Sequence, residues 1–343
     1  CSYQGPAGLQ FIRKLRDLGA RVTVPTTMNA ICVDRRQWRA LGVAESLGTP
    51  SDDLADAYVE MGVRPTYTCA PYQLEGAPVF GQQIAWAESN AVVFANSVLG
   101  ARTMKYPDYL DILAAITGRA PNADCHVGAR RLATLRIDVP RPRDPDDSFY
   151  PLLGYHIGKI ATNEIPILCG LEGLPITHDD LRAFGAAFAT TSAAPMFHML
   201  GITPEAKTLQ EAVGPDGPAR HLTVTVQDLK ETWRELNTAT TPEVDLVSLG
   251  NPHFSLTECA ALARLCEGRR KSAQGNRGGT CGRDVYDRAK AAGYVQRLAA
   301  FGARIMNDTC WCFIGEPIVP REAGNILTNS GKYAQYGPAA VNK

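Results

Sequence analysis

The sequence of 343 residues lacks several features that would place it in a broad class at once. No apolar run approaches the roughly 18 residues that a membrane-spanning helix needs, so no membrane partner is predicted. Lys plus Arg and Asp plus Glu number 35 each, and this balance gives no basic face for nucleic acid or an acidic membrane surface. The Walker spacing and Gly-x-Gly-x-x-Gly are also missing, which argues against the common phosphate-binding loops.

Cys-x-x-Cys pairs are absent too, which removes the usual signature of a structural zinc site, and no ferredoxin spacing replaces them. In so long a chain, scattered cysteines favour reduced thiols over a disulfide framework, and a cytoplasmic location is expected. Cys169, inside an apolar run, is typical of a buried core thiol. The ten cysteines stand at positions 1, 32, 69, 125, 169, 259, 266, 281, 310 and 312.

What the sequence does contain is an alternation of helical and strand-like segments. This alternation predicts an α/β protein with parallel sheets. We expect three α/β domains, over residues 1–139, 140–240 and 241–343, with the Pro- and Asp-rich stretch 140–147 as a linker. The strands are predicted at Arg21–Val24, Pro65–Tyr67, Leu132–Val139, Leu222–Val226 and Val244–Leu249.

Two local patterns carry further expectations. Ser255 with Glu258 forms a capping box that begins a helix. Residues 15–22 and 298–305 both read as helix, glycine, strand, which suggests either two similarly built domains or the common grammar of α/β units. The polar, glycine-rich segment 269–282 precedes a predicted helix at 283–292, where a strand belongs, but its composition argues against one.

Several polar and sulfur-bearing residues fall at the predicted carboxyl ends of strands, where α/β sheets collect their ligands. They include Cys69, Asn251, His253 and Cys310. Thiolates prefer zinc, copper(I) or iron–sulfur clusters, so one interpretation is a metal site assembled from distant loops. Unrelated buried thiols are the alternative.

A set of motifs, taken together, resembles the large-subunit region of the aconitase X family, and the match runs in order over essentially the whole chain. It comprises Pro25-Thr26-Thr27, Thr68-Cys69-Ala70-Pro71-Tyr72, the run from Glu88 to Thr103, Gly250-Asn251-Pro252-His253, Asp308-Thr309-Cys310 and Thr328-Asn329-Ser330-Gly331-Lys332-Tyr333. The resemblance implies a multi-domain aconitase-like large subunit with parallel or mixed sheets flanked by helices. It also implies a small swivelling domain, absent from this chain and expected upstream of Cys1 or on another chain.

The resemblance further implies an iron–sulfur cluster held by Cys69 and Cys310, to which we add Cys312 as a hypothetical third ligand. A 2Fe-2S cluster is favoured, because Asn251 stands where the archaeal branch of the family tends to have a cysteine. Glu88 and Lys332 are the expected catalytic residues. The expected substrate-binding residues are Ser89, Asn90, Asn96, Ser97, His253, Asn329 and Ser330.

The function expected from the resemblance is that of a hydro-lyase acting on a small hydroxy acid. The bacterial branch points to dehydration of cis-3-hydroxy-L-proline to Δ1-pyrroline-2-carboxylate, and the archaeal branch to mevalonate 5-phosphate dehydratase. The motifs show no additional Arg or Lys cluster for a phosphate, which favours the amino acid. A non-catalytic iron–sulfur subunit, or an α/β protein without metal, stays open.

Overall fold

The computed structural model describes residues 2–272 and 275–341, which divide into two compact units. The first unit comprises Cys1–Leu74, Ala115–Gly118 and Ala239–Lys343, and the second comprises Glu75–Ala114 and Arg119–Thr238. Within the described ranges, no helix combines the length and apolar character needed to cross a membrane.

The helices, numbered along the chain, are mostly short. Their bounds are α1 Pro6–Asp17, α2 Glu45–Glu60, α3 Ser89–Phe94, α4 Leu110–Thr117, α5 Phe149–Ile160, α6 His178–Thr191, α7 Leu209–Val213, α8 Val226–Leu236, α9 Leu256–Leu265, α10 Arg283–Ala291, α11 Tyr294–Phe301 and α12 Gly331–Val341. The strands are β1 Leu135–Asp138, β2 Pro166–Cys169, β3 His198–Met199, β4 Arg220–Thr223, β5 Leu246–Phe254, β6 Asn276–Cys281, β7 Arg304–Met306 and β8 Ile326–Thr328.

Each unit contains a four-stranded, fully parallel sheet. The second unit has the order β3-β2-β1-β4, and the first unit has the order β7-β6-β5-β8. In each sheet the second and third strands are added on one side of the first strand, and the last strand is added on its other side. This creates a topological switch point between β1 and β4 in the second unit and between β5 and β8 in the first. The prediction of an α/β fold with parallel sheets is confirmed.

The first-unit sheet is covered by apolar side chains on both faces. One cluster joins Phe254, Cys281 and Ile305 to helices α9, α10 and α11. The other joins Leu246, Met306 and the fully buried Trp311 to the segment before β8 and to α12. Burying strands on both faces is typical of parallel sheets.

The second unit has its core between α5 and α6. A Cβ added at Gly154 would overlap the Phe184 carbonyl group, so this glycine allows the two helix backbones to approach closely. Phe184 stacks on Phe188, and both rings meet Phe197 edge to face, with the Phe184 and Phe197 centroids 4.6 Å apart. Helix α6 begins with a capping box formed by Thr177 and Asp180.

Strand predictions made from local composition succeeded in the two sheets and were wrong elsewhere. Strands β1, β5 and β7 and the Ser255–Glu258 capping box are confirmed. Residues 21–24 form no strand, because neighbouring amides bond to different partners, Val22 to Met61 and Thr23 to Ala115. Residues 65–67 form none either, since the chain turns there and Tyr67 has a positive φ.

The interpretation of segment 269–282 was also wrong at its C-terminal end, because Asn276–Cys281 is strand β6. The glycines there make close packing possible. A Cβ at Gly278 would lie 3.0 Å from the Trp311 ring, and one at Gly279 would lie 2.9 Å from Ile305. Positions 273 and 274 of this segment lie outside the described residues.

Candidate functional site

The carboxyl edge of the first-unit sheet gathers most of the motifs predicted to be functional. Strand β5 carries Asn251 and His253 near its end, β7 is followed by residues 307–312, and β8 is followed by Ser330 and Lys332. Carboxyl ends of parallel strands meet at one edge, and ligands bind there at switch points. The switch point between β5 and β8 is closed by a hydrogen bond from the Ser330 hydroxyl to the Asn251 carbonyl.

The end of β5 is shaped by Gly250. Its φ is 81°, and a Cβ there would overlap the Thr280 carbonyl oxygen of β6. The pairing of β5 with β6 changes register between Leu249 and Phe254. The same segment includes a cis peptide bond between Asn251 and Pro252.

Cys69 and Cys310, the two cysteines that the motifs single out, meet at this edge, and Cys312, added as a hypothetical third ligand, lies beside them. Cys69 and Cys310 are 2% and 3% exposed and belong to one small cluster with Ala30, against which Cys312 packs. The Cys310 thiol is hydrogen-bonded with those of Cys69 and Cys312. Cys69 and Cys310, 241 positions apart in sequence, therefore lie together in one buried cluster.

The sulfurs are also surrounded by hydrogen-bond donors. The backbone N–H of His253 donates to Cys69 Sγ at 3.4 Å, and that of Cys312 donates to Cys310 Sγ at 3.4 Å. The Asn251 amide donates to Cys312 Sγ at 3.2 Å. Such donors favour a thiolate, the form that binds metals.

The pKa values of Cys310 and Cys312 are nevertheless high. The hydrogen bond from Cys312 lowers the pKa of Cys310, but the Cys69 sulfur and burial outweigh it, and the pKa of Cys310 rises well above its ordinary value. The hydrogen bond with Cys310 and burial raise the pKa of Cys312 strongly, against the Lys332 ammonium and the Asn251 amide. A cation that binds here must therefore displace protons.

The donor set fits a thiophilic metal centre in its chemistry. Across residues 2–272 and 275–341, the buried amide oxygen of Asn251 is among the few polar atoms without a hydrogen-bond partner, and it lies on the side chain that donates to Cys312. In that same part of the chain, no group of three Cys, His, Asp or Glu side chains is already arranged to hold an ion.

The Cys310-Trp311-Cys312 motif is anchored by its central residue. Trp311 is fully buried, and its indole N–H donates to the Leu249 carbonyl at 2.8 Å. Its ring packs against Tyr333 with centroids 6.0 Å apart. Because the tryptophan is fixed, the two cysteines that flank it are held in place.

The other first-unit residues that were predicted to act in the site also lie at this edge, and His253 and Ser330 form hydrogen bonds with protein groups there. Both ring nitrogens of His253 are engaged by Thr68 and Thr309, so a substrate contact would require one of these bonds to open. The Ser330 oxygen accepts from the Tyr333 N–H at 3.0 Å, and Asn329 is exposed. Lys332 is buried beside the thiols.

Glu88, Ser89, Asn90, Asn96 and Ser97 all belong to the second unit. Ser89 and Asn90 begin helix α3, and the Asn90 amide donates to the Glu88 carboxylate at 2.8 Å. The Ser97 hydroxyl accepts from the Phe197 N–H at 2.9 Å.

Asn96 is fully buried in the π-helical turn Ala95–Leu99 that follows α3. Its amide donates to the carbonyls of Thr103 and Pro195 and accepts from Thr103 and Arg131. This bonding favours a structural role for Asn96, while its expected contact with substrate stays a prediction.

Comparison with protein-family models accounts for nearly the whole chain. Residues 1–129 match the aconitase X first domain, residues 133–234 the second domain and residues 244–343 the third domain.

The chain belongs to the aconitase X family.

Known proteins agree with this assignment. The chain is 53% identical to the cis-3-hydroxy-L-proline dehydratase of Hypocrea jecorina and 52% identical to that of Pseudomonas aeruginosa, with all of this chain aligned. It spans only 58% and 59% of those proteins. It is 36% identical to the phosphomevalonate dehydratase large subunit of Methanothermobacter thermautotrophicus, covering 97% of this chain and 80% of that one.

The fold agrees with a solved aconitase X structure as well. The crystal structure of the holo-form of Thermococcus kodakaraensis aconitase X superposes with a TM-score of 0.87 at 32% identity, covering 98% of this chain and 83% of that one. The resemblance drawn from motifs is thus confirmed.

Sequence reasoning missed Arg283, which follows β6 and contacts the loops that carry Cys69 and Cys310. Its signal was its position just after a strand, and that strand was not predicted. The expected division into domains at 139 and 240 stays a prediction.

Proposed function

We propose that this chain is the cluster-bearing part of a hydro-lyase that dehydrates cis-3-hydroxy-L-proline to Δ1-pyrroline-2-carboxylate. The observation that carries the proposal is the meeting of Cys69, Cys310 and Cys312 at a switch point of a parallel sheet. Relatives at 52–53% identity that are named for this reaction support the choice of substrate.

Cys69, Cys310 and Cys312 would hold an iron–sulfur cluster, for which thiolates are the preferred ligands. We favour a 2Fe-2S cluster, since Asn251 supplies an amide rather than a fourth thiolate at this edge. When bound, the cluster supplies a Lewis-acidic iron that polarises the hydroxyl group of a substrate.

Lys332 is proposed to stabilise negative charge during the reaction. As the Cα proton of the substrate leaves, its carboxylate gains charge, and a buried ammonium stabilises such charge far better than water does. Lys332 is 6% exposed, and the neighbouring Asn329 and Ser330 add polar groups. Loss of the C3 hydroxyl as water then leaves an enamine that tautomerises to the imine product.

Glu88 is proposed to bind the ring nitrogen of the substrate as an ammonium ion. Its carboxylate already accepts a hydrogen bond from Asn90, which fixes its orientation. Ser89 and Asn90 are proposed to donate hydrogen bonds to the substrate. These roles derive from the family motif that runs from Glu88 to Thr103.

The base that removes the Cα proton is proposed to lie on the small swivelling domain that the family resemblance implies. The related archaeal proteins are named as large subunits, which supports a division of this kind in that branch. For this protein, the small domain can be fused or carried by a separate chain.

The test is an anaerobic preparation of the complete protein, with iron and sulfide assayed and two substrates offered in parallel. We expect iron and sulfide in stoichiometric amounts and turnover of cis-3-hydroxy-L-proline, followed as the imine product. Turnover of phosphomevalonate alone would move the protein to the other branch, to which identity is lower.

Two further outcomes would contradict the proposal. A cluster without turnover of either substrate would favour a non-catalytic iron–sulfur subunit. A colourless, iron-free protein would show that the thiols are merely buried side chains.

A further inference from the structure

Two side chains outside the thiol set each contact both of the loops that carry Cys69 and Cys310. They are His253, on β5, and Arg283, at the start of α10. Each contacts one residue just before Cys69 and one residue just before Cys310. All of these residues belong to the first unit.

His253 joins the residues immediately before the two cysteines. Its Nε2 lies 2.7 Å from the Thr309 carbonyl oxygen, and because a carbonyl only accepts, this nitrogen carries the hydrogen. The other ring nitrogen, Nδ1, is then an acceptor for the Thr68 hydroxyl at 3.2 Å. The ring is fully buried, so neither bond competes with bulk water.

Arg283 joins the residues two positions before the cysteines. Its guanidinium donates to both carboxylate oxygens of the fully buried Asp308, at 2.8 and 2.5 Å. The same group stacks over the Tyr67 ring, 4.3 Å from its centroid. A planar, bidentate and stacked contact of this kind is specific to arginine.

The backbone gives a reason for this contact. Tyr67 and Asp308 have φ angles of 45° and 66°, in the left-handed region that side chains other than glycine disfavour. Arg283 contacts both of these strained positions. The strained loops are thus supported by tertiary contacts rather than by local preference.

Gly282 leaves the space that this arrangement needs. A Cβ at that position would lie 2.8 Å from the Thr68 hydroxyl oxygen and 2.9 Å from Thr68 Cβ. Thr68 is 3% exposed and also accepts from the Ala70 N–H at 3.0 Å, so it has little freedom to move.

We propose that His253 and Arg283 are positioning residues that together hold the Cys69 and Cys310 loops at a fixed separation, so that both thiolates face one thiophilic metal ion or cluster. The inference rests on the metal centre of the proposed function. In this inference His253 positions the cysteine loops and does not contact the substrate.

The test is a titration of the apo form of the complete protein with Co²⁺ under anaerobic, reducing conditions, read by the thiolate-to-cobalt charge-transfer absorption. The variants are Arg283→Met and His253→Leu, with Arg283→Lys and His253→Gln as conservative counterparts. We expect the dissociation constant for Co²⁺ to rise about 10–100-fold in the first pair, the range found for residues that orient metal ligands. The conservative variants should recover part of the affinity.

Two matched controls exist in the same chain. Arg36 forms a bidentate pair with Asp287 and lies 5.9 Å from the Tyr286 ring centroid. Longer-range electrostatics link it to Asp308, but its guanidinium forms its hydrogen bonds with Asp287 rather than with a cysteine loop. His198 is buried and bonded to the Arg131 carbonyl at 2.8 Å in the second unit. Arg36→Met and His198→Leu should leave Co²⁺ affinity unchanged within about twofold.

The outcomes separate this inference from the proposed function. If the unmodified protein shows no thiolate–cobalt absorption, the metal centre itself is wrong. If the unmodified protein binds Co²⁺ and the Arg283 and His253 variants bind it equally well, only the positioning role is wrong. If those variants unfold, Gly282→Ala provides a second test, because it displaces Thr68 while both positioning side chains remain. An unchanged affinity of this variant for Co²⁺ would overturn the inference.

Discussion

The two parallel sheets of the molecule have the same strand order but different residues at their carboxyl edges. In the second unit, Asp138 ends β1 and bonds to Arg136 and to His221, at 2.9 and 2.8 Å. These side chains are partly exposed and satisfy one another. In the first unit, the corresponding edge carries buried thiols and a buried lysine.

This difference shows where function resides in such a fold. Strand order is shared, so it cannot distinguish the sheet that we propose to hold a cofactor from the other one. The residues that follow each strand differ between the two sheets, and these residues do distinguish them. The comparison predicts that equivalent substitutions at the two edges have very different consequences.

The largest difference is expected for the strand-end cysteines. Cys310→Ser should remove a metal ligand, and the complete protein should lose most of its iron and about a thousandfold in kcat, as expected if the metal contributes about 4 kcal/mol to catalysis. Cys169→Ser, at the end of β2 and 6% exposed, is the matched control.

Iron content and turnover, measured side by side, check this prediction. The Cys169 variant should keep its iron and its activity. Equal iron loss in both variants would mean that the first-unit edge has no special role.

The fold was predictable from sequence where apolar runs alternate with capped helices. Strand β5 and the Ser255–Glu258 box were found because a buried parallel strand and a helix start both leave local patterns. The strand at 276–281 was not predictable, because its glycines are required by Trp311 and Ile305. Only the folded chain brings those partners to it.

The residue types of the candidate site could be predicted from the sequence, but the residues that contact and position the cysteine loops could not. Cys69 and Cys310 carry a recognisable motif, and the structure brings them together. Arg283 and Tyr67 have no pattern of their own, since their contact is a ring stack between residues over 200 positions apart. Whether Glu88 acts on a substrate is likewise a matter for experiment.

A second comparison sets Lys332, which is buried, against Lys105 of the second unit, which is half-buried. Lys332→Met should lower kcat about 100–1000-fold while iron content is kept, because a donor to developing charge is lost. Lys105, in the second unit, donates to the carbonyls of Ala189 and Ser192 at 3.4 and 2.7 Å. Lys105→Met should leave kcat within a few-fold.

Steady-state kinetics of both variants, normalised to bound iron, provide the measurement. A Lys332 variant with full kcat would remove this residue from the proposed catalytic set. A Lys105 variant as slow as the Lys332 variant would show that burial alone, rather than position, explains the loss.

A third comparison concerns the glycines beside the two sheets. Gly250 and Gly170 have φ angles of 81° and 109°, and a Cβ at each would overlap a backbone carbonyl oxygen, of Thr280 and of Val139. Alanine at either position should cost at least about 2 kcal/mol of unfolding free energy. Only Gly250→Ala should also weaken metal binding, because it moves Asn251.

Denaturant unfolding and Co²⁺ titration of the two alanine variants test this together. We expect both variants to lose similar unfolding free energy and only Gly250→Ala to bind Co²⁺ more weakly. A Gly250 variant that binds Co²⁺ normally would show that the shape of β5 does not set the site.

The smallest expected effect is a pH dependence that belongs to the second unit. Burial lowers the pKa of Lys105 from 10.5 to about 8. Below pH 8 both the folded and the unfolded states carry the charge, and the full free-energy cost of burying that charge destabilises the folded state. Between about pH 8 and 10.5 the folded state releases the proton while the unfolded state keeps it, so the unfolding free energy should rise with pH through this window.

The expected rise is about 3.5 kcal/mol at most, since the pKa falls from 10.5 to about 8 and each pKa unit corresponds to about 1.4 kcal/mol. The measurement is the difference in unfolding free energy between the unmodified protein and Lys105→Met at about pH 7 and about pH 10, which cancels the other titrating groups. The unmodified protein should gain stability relative to the variant as pH rises. A constant difference would mean that Lys105 is better solvated in the folded protein than its lowered pKa indicates.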